Sequence, residues 1–172
     1  MKLEEKTEDE KSLYKGKVIE LLLQKVKLQN GKYSSREIVM HPGGVAIIAF
    51  KDKDTILMVE QFRKPLETVL LELPAGKLEP GENTEQCGRR ELEEETGYKA
   101  NNFKYLGKIA TSPGFCNEYI YLYKAEDLYE GKIGGDEDEF INVKEVKTKD
   151  VKEMIIKGAI IDAKTISAFM YL

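Results

Sequence analysis

Along the chain the apolar residues change their spacing several times, and each change marks an element. Residues 44 to 50 (GVAIIAF) form a continuous apolar run, which predicts a central strand buried on both faces. A polar turn, Lys51-Asp52-Lys53-Asp54, separates it from a second strand over residues 55 to 63 (TILMVEQFR). Upstream, residues 17 to 28 read as a strand-pair region ending at Gln29-Asn30-Gly31, because Asn-Gly suits the left-handed backbone of a tight hairpin. Residues 34 to 40 are the return strand. Further strands are predicted over residues 68 to 73, ended by Pro74, and over 103 to 111, 117 to 125 and 139 to 146. Helical spacing appears at residues 84 to 96, 148 to 157 and 161 to 171. Residues 1 to 11 (MKLEEKTEDEK) carry no apolar pattern and are expected to fray. The alternation predicts an α/β fold: a mixed sheet, a central helix, and C-terminal helices covering a face.

The central helix has legible ends. Asn83 followed three residues later by Gln86 has the form of a capping box, and Gly97 suits the left-handed residue after the last turn. Between them the chain places Glu93, Glu94 and Glu95 in succession, where the helix dipole leaves partial negative charge. Something positive is therefore expected nearby. Residues three and four apart share a helix face, so Glu91, Glu94 and Glu95 should converge. Such a group of carboxylates is what a hard divalent cation takes as ligands, although a glutamate run is also the ordinary solvated face of a helix. Gly88 lies beside them and costs about 1 kcal/mol relative to alanine in a helix interior. That cost predicts close packing there, with the backbone of residues 73 to 76 as the candidate neighbour.

Composition then removes several classes of function. At 172 residues and 41% apolar content the chain suits one core-bearing domain. The net charge of -4 and the lack of a basic cluster argue against a nucleic-acid partner, whose phosphates need neutralising. No apolar run approaches a membrane span and residues 1 to 11 lack the apolar centre of a secretory signal, so a cytoplasmic protein without membrane contact is expected. Cys87 and Cys116 form no metal-type pair and read as buried thiols. His41 is the only histidine and is read as a bystander, which leaves no histidine-rich zinc site.

The stretch GKLEPGENTEQCGRRELEEETGY, residues 76 to 98, resembles the Nudix box through Gly76, Glu82, Arg90, Glu91, Leu92, Glu94, Glu95 and Gly97, with Tyr98 where an aliphatic residue is usual. So many fixed positions make a chance match rare. The resemblance implies a Nudix fold, an α/β/α sandwich with a mixed β-sheet, and Mg²⁺-dependent hydrolysis of a nucleoside diphosphate, with Mn²⁺ as a possible substitute. It implies Glu91, Glu95 and the Ala75 carbonyl as metal ligands and Glu94 as an auxiliary catalytic carboxylate. Gly76, Glu82, Arg90 and Gly97 would be structural, Arg90 pairing with Glu82.

Three further stretches, residues 36 to 48, 59 to 79 and 111 to 118 (TSPGFCNE), are similar to the ADP-ribose pyrophosphatase branch of that family. By this similarity Arg36, Glu37 and Arg63 would surround the adenosine and diphosphate of ADP-ribose, while Pro113, Gly114, Phe115 and Glu118 would shape its ribose side. In the acidic stretch GGDEDEF, Glu137 would be the general base and Glu139 a metal contact. Products would be AMP and ribose 5-phosphate. The branch implies a homodimer, with residues 1 to 43 forming an extension and dimerisation strands and residues 44 to 172 the hydrolase domain. Two alternatives stay open: another nucleoside diphosphate sugar or dinucleotide as substrate, and a non-catalytic ADP-ribose sensor.

Overall fold

The computed structural model describes residues 3–132, 134 and 140–172. These fall into two compact units, one of residues 1–43 with 110–119 and the other of residues 44–109 with 120–172.

The first unit holds a three-stranded antiparallel sheet in the order β1 (Lys6–Lys15), β2 (Glu20–Lys27), β3 (Tyr33–Met40). The β2–β3 turn forms where Asn-Gly predicts it: Gly31 takes φ +79° and the Leu28 N–H donates to Lys32 O at 2.8 Å. The N-terminal segment departs from expectation, because Lys6 to Lys11 belong to β1 instead of fraying, and residues 17 to 28 contain a single strand, paired with β1 upstream as well as with β3. The reason is chemical. All of β1 is exposed, so its pairing rests on backbone bonds and polar cross-strand contacts, such as Gln24 Nε2 to Glu10 at 2.6 Å, which leave no apolar period to read.

The second unit is built on a sheet whose main path runs β10 (Ile141–Lys147), β5 (Thr55–Arg63), β4 (Gly44–Phe50), β9 (Tyr119–Glu130), β8 (Tyr98–Ala110). Strand β6 (Thr68–Glu72) pairs with β5, and β7 (Ala75–Lys77) with β4. Strands β4 and β9 run parallel while β5 is antiparallel to both β4 and β10, so the sheet is mixed. Central β4 is buried on both faces. Its Val45, Ile47 and Ala49 pack with Cys87 and Leu92 of helix α1 (Thr84–Thr96). Its Ala46 and Ile48 pack on the other face with Val151 of α2 (Thr148–Ile156) and Ala168 of α3 (Ala163–Ala168). Each fully buried Ile or Leu contributes about 1.5–3 kcal/mol, and the three layers follow from that alternation. The α/β sandwich with a mixed sheet is thus observed.

Several boundaries moved. β8 begins at Tyr98 and β9 continues to Glu130, both longer than their apolar patterns. The last helix is shorter, since α3 ends at Ala168 and a 3₁₀ turn covers Phe169–Tyr171. Strand β7 was not predicted, being three residues long directly after Pro74. Cys87 is buried as expected, while Cys116 is only partly so. No helix among the described residues is long and apolar enough to cross a membrane.

Candidate active site

Helix α1 starts at a reciprocal cap: the Gln86 N–H donates to Asn83 Oδ1 at 2.9 Å and the Asn83 N–H to Gln86 Oε1 at 3.3 Å. It ends at Gly97, φ +76°, whose N–H donates to Glu93 O at 2.8 Å. These caps fix where the helix starts and stops. Gly88 is crowded by Phe103, whose Cζ would lie 2.9 Å from an added Cβ, and not by the 73–76 backbone expected from sequence.

The 73–76 segment instead meets α1 one turn later. An added Cβ on Gly76 would lie 1.8 Å from the carboxyl carbon of Glu91, so only glycine lets that carboxylate sit against the loop backbone. The Ala75 N–H donates to Glu95 Oε2 at 2.9 Å. Glu91 and Glu95 are both buried, so two carboxylates and a stretch of main chain share one enclosed place.

The positive charge that three successive glutamates call for comes from two sources. Arg90 donates Nε and Nη2 to Glu82 at 2.9 and 3.0 Å, and Nη1 to Glu91 and Glu94 at 2.8 and 2.9 Å. Lys99 lies 3.1 Å from Glu93. The Arg90–Glu82 fork fastens the 77–82 loop to the helix, and its bond from Arg90 holds the Glu82 carboxyl below the usual range. Arg90 is raised above its ordinary value, first by that bond to Glu82. Glu91 and Glu94 therefore turn toward Arg90 while Glu95 turns to the loop, and no three acidic, histidine or cysteine side chains among the described residues are gathered into a ready metal cage.

Arg63, at the end of β5, donates Nε and Nη2 to the buried Glu72 at 2.8 and 2.7 Å. Burial pushes the Glu72 carboxyl up, but the bond from Arg63 and the charge of Lys164 outweigh it and leave it below 4.5. Glu72 and Glu82 thus both have folded values below their ordinary 4.5. A lowered carboxylate stabilises the fold above its unfolded value, and the gain is lost as pH falls through the folded one. The unfolding midpoint should therefore hold from about pH 7 to about pH 5 and fall as the pH drops from there to about pH 3. A midpoint unchanged at about pH 3 would contradict these pairings.

The remaining sequence-predicted residues lie in the first unit. Arg36 forks onto Glu5 and also reaches Ser34 Oγ at 2.9 Å; Glu37 is exposed beside it on β3. The 111–118 loop is stitched to the same strand, the Val39 N–H donating to Phe115 O at 2.7 Å and the Asn117 N–H to Val39 O at 3.2 Å. Pro113, Gly114 and Phe115 stand exposed at its tip. Glu118 accepts from Thr111 Oγ1 at 2.6 Å and lies 3.2 Å from Nδ1 of His41. His41 is tied into the fold: its own N–H donates to Asn117 Oδ1 at 2.7 Å and its ring accepts from the Gly43 N–H at 3.0 Å. No spacing in the sequence links residues this far apart. Glu137 and Glu139 lie outside the described residues.

Comparison with known proteins accords with this geometry. Residues 40–169 match the NUDIX domain, and the chain belongs to that family. It is 49% identical to the ADP-ribose pyrophosphatase of Bacillus subtilis (strain 168), over 99% of this chain and 93% of that one. It is 47% identical to the methanol dehydrogenase activator of Bacillus methanolicus, over 98% and 92%. A crystal structure of an ADP compounds hydrolase superposes with a TM-score of 0.88 at 20% identity, over 99% of this chain and 94% of that chain, a likeness of fold.

Proposed function

We propose that the protein is an ADP-ribose diphosphatase, splitting ADP-ribose into AMP and ribose 5-phosphate. The observation that carries this reading is the pair of buried carboxylates, Glu91 and Glu95, set against Gly76 and Ala75 in a chain 49% identical to an enzyme of that name. The donor set is all oxygen, and Gly76 leaves the space it needs, which suits a hard divalent cation, Mg²⁺ with Mn²⁺ as substitute. Glu91, Glu95 and the Ala75 carbonyl would hold it, with Glu94 and Glu139 as auxiliary carboxylates. When bound, such a cation supplies Lewis acidity and a more acidic water.

The chain's own residues do the rest. Arg90 gives up Glu91 and Glu94 while keeping its fork on Glu82, so the loop stays fixed as the carboxylates turn. Gly97 ends the helix and keeps that face in register. Arg63 offers an anion its outer guanidinium nitrogen, and Glu137 takes the proton of the attacking water. Arg36 and Glu37 bind the adenosine, and Pro113, Gly114, Phe115 and Glu118 shape the ribose side. The protein works in the cytoplasm as a homodimer joined through residues 1–43, with residues 44–172 as the hydrolase domain. Equimolar AMP and ribose 5-phosphate, formed from ADP-ribose and lost with EDTA, support the reading; inert ADP-ribose would end it.

A second reading comes from the 47% relative, that the chain activates a dehydrogenase. Adding it to methanol dehydrogenase and following methanol oxidation decides: a faster rate supports the reading, and an unchanged one removes it.

A further inference from the structure

The segment Asp162-Ala163-Lys164-Thr165 has no part in the function described so far, yet it is tied to the site by charge and by backbone. Asp162 caps α3, accepting from Thr165 N–H at 3.0 Å and Thr165 Oγ1 at 2.6 Å. The same hydroxyl accepts from the Leu73 N–H at 3.0 Å, where the chain turns into the loop carrying Ala75 and Gly76. Lys164 donates to Asp162 Oδ1 at 3.0 Å and to Glu72. Glu72 is 1% exposed and receives Lys164 on one side and Arg63 on the other.

This arrangement decides what Arg63 can do. Its Nε and Nη2 are committed to Glu72, while Nη1 has no partner among the described residues and the side chain is 37% exposed. If Arg63 alone faced the buried Glu72, its charge would be cancelled by that one neighbour. Lys164, only 13% exposed, supplies a second cation from the protein side. Two cations, Arg63 and Lys164, then face the paired anions Glu72 and Asp162, with Glu95 acting on Arg63 through space as a third anion, and the exposed cationic edge belongs to Arg63. Burial strengthens each of these interactions relative to water.

We propose that Lys164 is a positioning residue for the diphosphate: by neutralising Glu72 from behind, it keeps Arg63 both fixed in direction and electrically available to an anionic phosphate at Nη1. This deepens the reading of Arg63 as a phosphate ligand and rests on it. Removing Lys164 makes the cluster one unit more negative and leaves Arg63 facing a Glu72 that no second cation neutralises, and substrate affinity falls while the bond-breaking residues are untouched.

The test is calorimetric binding of ADP-ribose in EDTA, with the absence of AMP checked, so that affinity is read apart from turnover. Lys164→Met should raise Kd about five- to tenfold, and Lys164→Arg, which keeps the charge, should stay within about twofold of the parent. Arg63→Ala should weaken binding by about tenfold or more. The double variant should then be no more than about twofold worse than Arg63→Ala alone, since Lys164 acts through Arg63. Should Lys164→Met fail to fold, Lys164→Gln carries the same expectation. If Arg63→Ala binds normally, the reading of Arg63 fails. If Arg63→Ala weakens binding and neutral variants at 164 do not, or if their effects simply add, the proposal for Lys164 fails alone; a lowered unfolding midpoint with unchanged Kd counts against it in the same way.

Discussion

Replacing Glu91 with Gln should lower kcat for ADP-ribose at least about a hundredfold, more than the loss of a hydrogen-bonding partner behind a metal ligand costs. Glutamine has nearly the same shape, so it fits over Gly76 where any larger change in volume would not. Its amide oxygen still accepts from Arg90 Nη1, which keeps the Arg90 side chain near its present place. What disappears is one of the two buried negative charges that would offset a divalent cation there. Glu85→Gln is the matched control, because Glu85 is exposed in the first turn of the same helix and pairs with Arg89. Its activity should stay within about twofold of the parent, a surface pair being worth at most about 1 kcal/mol. Equal turnover in Glu91→Gln and the parent would remove the helix carboxylates from the mechanism.

The largest stability loss is expected at Glu72. Glu72→Ala should destabilise the fold by about 3 kcal/mol, the lower end for breaking a buried ion pair. The lower end applies because Arg63 is 37% exposed and can turn to water, and Lys164 keeps Asp162. At about 2–4 °C per kcal/mol for a chain of this size, the midpoint should fall by about 6–12 °C. Glu126→Ala, which removes the pair between the exposed Glu126 and Lys124, should move it by no more than about 4 °C. If the two variants unfolded together, the buried network would have no special weight.

What was legible in the sequence was whatever local chemistry decides. The bounds of α1 were readable because Asn83, Gln86 and Gly97 satisfy the helix ends with their own side chains and backbone. β4 was readable because a strand buried at nearly every position leaves an unbroken apolar run, and β5 because its first five residues are buried. β1 was not, since an all-exposed strand held by backbone pairing has no periodicity. The Arg90–Glu82 pair could be drawn from the resemblance, but not that Arg90 also holds Glu91 and Glu94, which depends on rotamers. Likewise Gly88 announced close packing without naming Phe103. The contacts of Lys164 with Glu72 and of His41 with Glu118 join residues far apart in the chain, and only the folded topology brings them together.

The most direct test of the central claim is steady-state hydrolysis of ADP-ribose with Mg²⁺ beside NADH, ADP-glucose, GDP-mannose and diadenosine compounds, comparing kcat/KM, which reports differential binding of the transition states. ADP-ribose should have the highest kcat/KM of the panel, and EDTA should abolish its hydrolysis. Another compound in that place would keep the family chemistry and overturn the substrate, and tight ADP-ribose binding with no turnover of any compound would contradict the account and make the protein a sensor.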